Sequence, residues 1–161
     1  MAYDRGRHLI IRTDKDTHFV GALAQNAGEA ADIVLDLYTA MAATRLGAKE
    51  PAKSARLIVR EIRIWSDQNL AWELQFWADD DYEETNADLD AFLGSHKFAV
   101  SDGAQNAGTG LYRYCQTKLE LFYTDRDLTG EVHLKLFNRS ATSKNAGATG
   151  EVVVELAAEW A

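Results

Sequence analysis

The chain has 161 residues, 47% of them hydrophobic and 26% charged, and its formal net charge is −8 at pH 7. This length predicts one domain, residues 1–161, with a hydrophobic core of its own. The charge argues against nucleic acid and anionic membranes as partners, because their phosphates repel an acidic surface. The one cysteine, Cys115, excludes an intrachain disulfide, and we expect it to be a buried, unreactive thiol.

The first elements follow from short apolar runs and one helical pattern. His8–Arg12 predicts a first strand, and residues 17–23 predict a second. Asn26 suits the N-cap of a helix over residues 29–46, where apolar side chains recur at helical spacing among many alanines. Alternation within residues 32–38 favours a strand instead, and the sequence leaves both alternatives open.

The middle of the chain reads as a hairpin followed by a polar stretch. Residues 55–65 and 70–78 predict two paired strands joined by a turn at residues 66–69. The acidic residues 79–90 predict an exposed connection, with a helical turn at 88–93 and a short strand at 97–100. Residues 101–110 are rich in glycine and polar side chains, which predicts a loop.

Three long strands are predicted at the end of the chain, over residues 111–124, 131–139 and 151–160. In the second, apolar residues from Val132 to Leu136 alternate with His133 and Lys135, so we expect His133 to face solvent. With the earlier strands, this pattern predicts a mostly β fold: an antiparallel two-sheet sandwich of jelly-roll type with one early helix. An up-and-down barrel is the alternative.

No motif in the sequence carries a recognisable chemistry. Residues 125–130 match the first half of a calcium loop, but position 12 is Leu136 where calcium needs a glutamate. We interpret them as a hairpin turn whose aspartates accept hydrogen bonds from turn amides, and the acidic run 79–84 as solvated. Cation binding at either place stays open. We therefore predict no catalytic residue, no metal ligand and no cofactor, and a chain that is not an enzyme.

Aromatic residues occupy both faces of the predicted strands. Trp72 and Trp77, for example, alternate to opposite faces of one strand. In a two-sheet sandwich only one face of each sheet belongs to the core, so some aromatics need another role. They are covered by other segments, form a protein interface, or provide a platform on which carbohydrate stacks.

Two loops contain nothing bulky that would hold them in one shape. Residues 139–150 and 101–110 consist mainly of small and polar side chains. We expect each loop to be mobile on its own or to be ordered by a partner. The N-terminal arm, residues 1–7, is a third contact candidate. The residues proposed to bind a partner are Asp4, Arg5, Arg7, Gln105, Asn106, Arg139, Ser143, Lys144 and Asn145.

Segments 69–77, 128–140, 144–147 and 150–154 resemble small jelly-roll proteins on the capsid surface of tailed bacteriophages, the cement or decoration class. The resemblance lies in long amphipathic strands, small-residue loops and the lack of a catalytic signature. It implies a structural virion protein that binds capsid or other virion proteins and is made in the host cytoplasm; a homo-oligomer stays open. The alternative function is a carbohydrate-binding β-sandwich that uses exposed strand aromatics such as Trp77.

Overall fold

The computed structural model describes residues 8–35, 56–82 and 91–161, which form two antiparallel β-sheets in a sandwich-like arrangement. The described residues contain ten strands and two short 3-10 turns, Val100–Asp102 and Gly147–Thr149. In chain order the strands are β1 (His8–Arg12), β2 (Gly28–Val34), β3 (Arg56–Ser66), β4 (Trp72–Trp77), β5 (Phe92–Phe98), β6 (Ala104–Gln105), β7 (Tyr112–Gln116), β8 (Leu121–Thr124), β9 (Glu131–Asn138) and β10 (Val152–Trp160).

The larger sheet has the strand order β1-β10-β3-β7-β6, and β8 pairs with β3 beyond the end of β7. The smaller sheet has the order β2-β9-β4-β5. The long strand β3 is the centre of the larger sheet, because it pairs with β10 on one side and with both β7 and β8 on the other. The predicted mostly β two-sheet sandwich is confirmed.

The core lies between the sheets and is built by the period-two alternation of their strands. In β9, Val132, Leu134 and Leu136 are fully buried and belong to the same cluster as Ile62 and Leu156 of the larger sheet. Burying each such side chain stabilises the fold by roughly 1.5–3 kcal/mol. The largest core side chains are Trp72, Phe76, Tyr114, Tyr123 and Phe19.

The predicted early helix is wrong where the structure describes it. Residues 28–34 form β2, which pairs antiparallel with β9 from Gly28↔Phe137 to Val34↔Glu131. Ala31 and Ile33 point into the core while Asp32 and Val34 are exposed, so the strand alternative for this stretch has the correct period. Pairing with β9 outweighs the helix propensity of the alanines. Residues 36–46 lie outside the described residues.

The predicted hairpin of residues 55–65 and 70–78 is also wrong. Both strands exist as β3 and β4, but β3 belongs to the larger sheet and β4 to the smaller one, so residues 67–71 cross between sheets. The predicted strand 111–124 is two strands, β7 and β8, separated by residues 117–120, where Lys118 has a φ of +59°. The turn 125–130 and the loop 139–150 likewise connect different sheets and not the arms of a hairpin.

Three smaller predictions need correction. Residues 17–23 form no strand. Their one β-sheet pairing is an isolated antiparallel bridge between Leu23 and Lys144. In the described part, the predicted helical turn at 88–93 is wrong, because β5 spans Phe92–Phe98. The predicted strand at 97–100 is correct at residues 97–98 but starts earlier and ends before residue 99. Loop 101–110 contains the end of one 3-10 turn and the short strand β6.

Candidate functional site

The outer face of the smaller sheet, away from the core, carries ionisable side chains that are nevertheless buried. Glu73 and His133 of this face are 5% and 0% exposed, and Trp77 is 1% exposed. The prediction that His133 faces solvent is therefore wrong. We call this surface the buried polar face, although Asp32 on it is exposed and Arg139 is half-buried. Its members are Asp32, Glu73, Gln75, Trp77, His133, Phe137 and Arg139.

One row of the buried polar face runs along β4. Residues 73, 75 and 77 share a face because alternate side chains of a strand point the same way. The Arg139 guanidinium donates to Glu73 (Nε–Oε2, 2.8 Å), the Gln75 amide donates to Glu73 (Nε2–Oε1, 3.2 Å), and the Trp77 indole donates to Gln75 (Nε1–Oε1, 3.2 Å). Burial alone would raise the pKa of Glu73, but the hydrogen bonds from Arg139 and Gln75 hold that pKa below its usual value.

A second group of the buried polar face centres on His133. Asp32 of β2 lies directly opposite His133 of β9 in the strand register, and His133 Nδ1 is 2.7 Å from Asp32 Oδ1. The hydroxyl of Tyr82 donates to the same Asp32 oxygen. Burial and the neighbouring Asp32 carboxylate raise the pKa of Tyr82. On the other side, the His133 backbone N–H donates to the Tyr123 hydroxyl at 2.9 Å.

The ring of His133 is enclosed by side chains of neighbouring segments. Its Nε2 has no hydrogen-bond partner among the described residues, and it lies 3.7 Å from Oδ1 of Asp125, whose side chain is also 0% exposed. Within residues 8–35, 56–82 and 91–161, no group of three His, Cys, Asp or Glu side chains is placed to hold a metal ion.

Turn 125–130 lies beside the His133 group and is held by hydrogen bonds within the turn and to two neighbouring segments. Asp125 accepts hydrogen bonds from the backbone N–H groups of Asp127 (3.1 Å) and Gly130 (2.7 Å), which confirms that an aspartate satisfies turn amides. The backbone N–H of Arg126 donates to Ala78 O at 2.6 Å, and Leu35 N–H donates to Gly130 O at 2.9 Å. The turn is therefore anchored to both flanking segments.

The acidic run beside this turn is only partly solvated. Asp79 is 4% exposed and pairs with the guanidinium of Arg126, so the expectation of full exposure is wrong at this residue. Asp80 and Asp81 are exposed, and the backbone N–H of Asp80 donates to Asp127 Oδ2 at 3.2 Å. Residues 83–90 lie outside the described residues.

The loop 139–150 is held by hydrogen bonds, contrary to the expectation that nothing would hold it. Lys144 is 1% exposed, and its ammonium donates to the carbonyls of Gly21 (2.6 Å) and Asn145 (3.1 Å). Burial lowers the pKa of Lys144. The backbones of Lys144 and Leu23 exchange two hydrogen bonds, and Gly147 N–H donates to Val20 O. The sequence argument weighed only apolar packing and missed this backbone pairing.

The described members of the proposed partner-binding set differ in exposure and in the contacts that they make. Asp4, Arg5 and Arg7 lie outside the described residues. Lys144 is buried and Arg139 is half-buried, with its guanidinium on Glu73 and 4.4 Å from the ring centroid of Phe137. The exposed members of the set are Gln105, Asn106, Ser143 and Asn145. Asn106 is itself engaged, because its side chain accepts from the backbone of Gly108 at 2.8 Å.

The outer face of the larger sheet is lined by ion pairs. Arg63 contacts Glu61 and Glu155, the latter at 2.7 Å, and Arg60 contacts Glu159 at 3.2 Å. Two large apolar side chains stand out from this polar surface, Ile10 of β1 and Phe122 of β8, which are 63% and 61% exposed.

Cys115 lies on the same outer face and is exposed, so the predicted buried thiol is wrong. Its Sγ–H donates to Glu61 Oε1 at 3.2 Å. Partial desolvation and the Glu61 carboxylate raise the pKa of this thiol, and Arg113 opposes them. The sequence could not predict which face of the sheet Cys115 lies on. β7 has only five residues, and its short alternation is compatible with either orientation.

The aromatic side chains considered for a carbohydrate platform are mostly covered. Trp72 and Trp77 are 0% and 1% exposed, and the Trp77 ring packs edge-on against Tyr82 and Phe92. The interpretation that other segments cover the outward-facing aromatics is confirmed for Trp77, whereas Trp72 belongs to the core between the sheets. Trp65 is half-buried, with the Arg113 guanidinium 5.5 Å from its ring centroid.

Comparison with known proteins gives no family for this chain. No protein-family model matches the sequence, and no curated protein matches it. The described residues also include no helix that is both long and apolar enough to cross a membrane.

Proposed function

We propose that this chain is a structural virion protein with a jelly-roll type of sandwich, and that it binds the surface of a capsid without catalysing a reaction. The proposal joins the resemblance to phage cement proteins with the distribution of side chains over the two sheets. A protein of this kind acts through contacts with neighbouring subunits, so it requires a stable scaffold and accessible apolar contact points.

The observation that carries the proposal is where apolar and ionisable groups lie. Large apolar side chains are exposed on strands and turns, where a partner surface can reach them. The ones that we propose as contact points are Ile10, Val34 and Leu128. The ionisable groups of the buried polar face are instead engaged with one another: Glu73 with Arg139, and Asp32 with His133. This distribution is typical of a binding scaffold.

The scaffold also favours contact without large rearrangement. Loop 139–150 and turn 125–130 are held by internal hydrogen bonds, so their exposed residues are presented in one conformation before a partner arrives. Pre-organised contact residues lose less conformational entropy on binding. Ser143 and Asn145 keep their place as contact candidates in this proposal, whereas Lys144 supports the loop from inside.

The test is cosedimentation with empty shells assembled from the major capsid protein of the same virus. We expect the purified chain to move with the shells in a sucrose gradient and to saturate at a fixed ratio to capsid subunits. A chain that stays at the top of the gradient at all concentrations contradicts the proposal. A glycan array probed in parallel examines the carbohydrate alternative, which gains support only if the chain binds glycans and not shells.

A further inference from the structure

Leu128 has a backbone conformation that its side chain does not favour. Its φ is +61°, in the left-handed region where asparagine and glycine are common and leucine is rare. The side chain is 54% exposed, so core packing does not explain the conformation. A strained backbone that persists without a packing reason is a reason to look for function at that position.

The turn around Leu128 is built to hold this conformation. The buried Asp125 carboxylate accepts from the N–H groups of Asp127 and Gly130, on either side of Leu128. The turn is tied to the 78–80 segment through Arg126 N–H and Ala78 O, and to the end of β2 through Leu35 N–H and Gly130 O. Leu128 is thus presented on a rigid support.

A second exposed apolar side chain lies at the same end of the sandwich. Val34 is 70% exposed and is the register partner of Glu131, which directly follows the turn. Three exposed carboxylates lie on the two segments at this end: Asp127 within the turn, Asp80, whose backbone N–H donates to Asp127, and Asp81, which follows Asp80. The one cation of the turn, Arg126, is paired with the buried Asp79. We call Val34, Leu128 and the carboxylates of Asp80, Asp81 and Asp127 the acidic-rimmed tip.

We propose that the acidic-rimmed tip is the main docking point of this chain, and that its partner is a virion protein with an apolar socket bordered by lysine or arginine side chains. This inference rests on the proposed function and selects one of its exposed apolar positions. Charge complementarity identifies the partner, because an apolar contact inside an anionic rim favours a cationic border. Phe122 lacks such a setting, since its register partner on β3 is the apolar Ile58 and the nearby Glu159 is neutralised by its ion pair with Arg60.

The backbone conformation of Leu128 allows a variant that removes its side chain without an expected loss of stability. Asparagine adopts the left-handed region readily. Leu128→Asn therefore removes the apolar side chain and also lowers the backbone strain at this position. We expect its urea midpoint to equal or exceed that of the unmodified chain. We also expect its affinity for the capsid shells to fall at least tenfold, because a centrally placed apolar anchor carries much of the energy of an interface. Leu128→Gly is the second variant.

Phe122→Thr is the matched control, because it removes an equally exposed apolar side chain from another face. We expect its affinity for shells to stay within twofold of the unmodified chain. Asp80→Asn and Asp81→Asn should slow association and weaken its salt dependence. Unchanged shell binding by both Leu128 variants overturns this inference and leaves the proposed function in place. No shell binding by the unmodified chain overturns both.

Discussion

His133 and Asp32 face each other across β9 and β2, with His133 Nδ1 2.7 Å from Asp32 Oδ1. The imidazole is fully buried, whereas the carboxylate is 42% exposed and also accepts from the Tyr82 hydroxyl. A contact of this kind fixes the ring orientation and joins the edge strand β2 to its neighbour. It is the sort of pairing whose loss leaves a buried polar atom without a partner.

We expect Asp32→Ala to destabilise the fold by about 1–3 kcal/mol, because the buried Nδ1 of His133 loses its hydrogen bond. Asp32→Asn keeps an acceptor and should cost less. Urea unfolding followed by tryptophan fluorescence measures both. Asp81→Ala removes an exposed aspartate of the same end and should change stability by no more than about 0.5 kcal/mol. Equal stabilities for Asp32→Ala and Asp81→Ala would show that the pairing contributes nothing.

The Glu73–Arg139 pair predicts that the free energy of unfolding changes with pH in the acidic range. The pKa of Glu73 in the folded chain is held below its usual value. Its charged form is therefore favoured by folding, and this contribution is present above the ordinary pKa of glutamate, about 4.3. It is lost as the pH falls through the lowered pKa of the folded state. The pair should thus stabilise the chain at neutral pH and not in strong acid.

Glu73→Gln measures that contribution. At neutral pH we expect the variant to be less stable than the unmodified chain, because Arg139 loses its carboxylate partner. The difference between the two should shrink as the pH is lowered below about 4. Urea midpoints across the pH range record it. Glu120→Gln, at an exposed glutamate, is the control. A difference that is constant across the whole range would contradict the argument.

Loop 139–150 depends on a glycine at its end. A Cβ added at Gly150 would lie 1.9 Å from the backbone oxygen of Asn145, which no flexible side chain can relieve. We expect Gly150→Ala to destabilise the chain by about 2 kcal/mol or more, because the backbone itself must move. Gly147 has open space at its Cβ but a φ of +65°. Gly147→Asn should therefore be tolerated, and equal melting temperatures for the two variants would exclude the clash.

The strands that could be predicted from the sequence are those with uninterrupted alternation. β9 and β10 were predicted almost to the residue, because Val132–Leu136 alternate without a break and apolar residues occupy every second position from Val152 to Leu156. Alternation shows that a segment is a strand but contains no information about its partner. β3 and β4 follow each other closely and were predicted to pair, yet β3 pairs with β10 from the far end of the chain.

The candidate site was harder to predict for the same physical reason. Its contacts join residues far apart in the sequence: Asp32 with His133, Glu73 with Arg139, and Gly21 with Lys144. Each charged residue looks solvated when it is considered alone. One signal for the site was available in the sequence, since His133 and Trp77 were both predicted on strands. In the structure these two residues are register partners on neighbouring strands of the smaller sheet.

The Cys115–Glu61 contact predicts slow reaction of an exposed thiol. Its Sγ–H donates to Glu61 Oε1 at 3.2 Å, and desolvation together with this carboxylate raises the thiol pKa. The thiolate is the reactive form, so a raised pKa lowers its population at neutral pH. We expect Cys115 to react with a disulfide reagent more slowly than a free cysteine at pH 7.5.

Glu61→Gln should accelerate that reaction by about three- to tenfold, because it removes the negative charge that disfavours the thiolate. The pH profile of the rate should move to lower pH by a corresponding amount. Glu155→Gln is the matched control: Glu155 binds Arg63 on the same face, as Glu61 does, but the hydrogen bond of the thiol goes to Glu61. If both variants react at the rate of the unmodified chain, the carboxylate does not set the thiol pKa, and desolvation alone accounts for its direction.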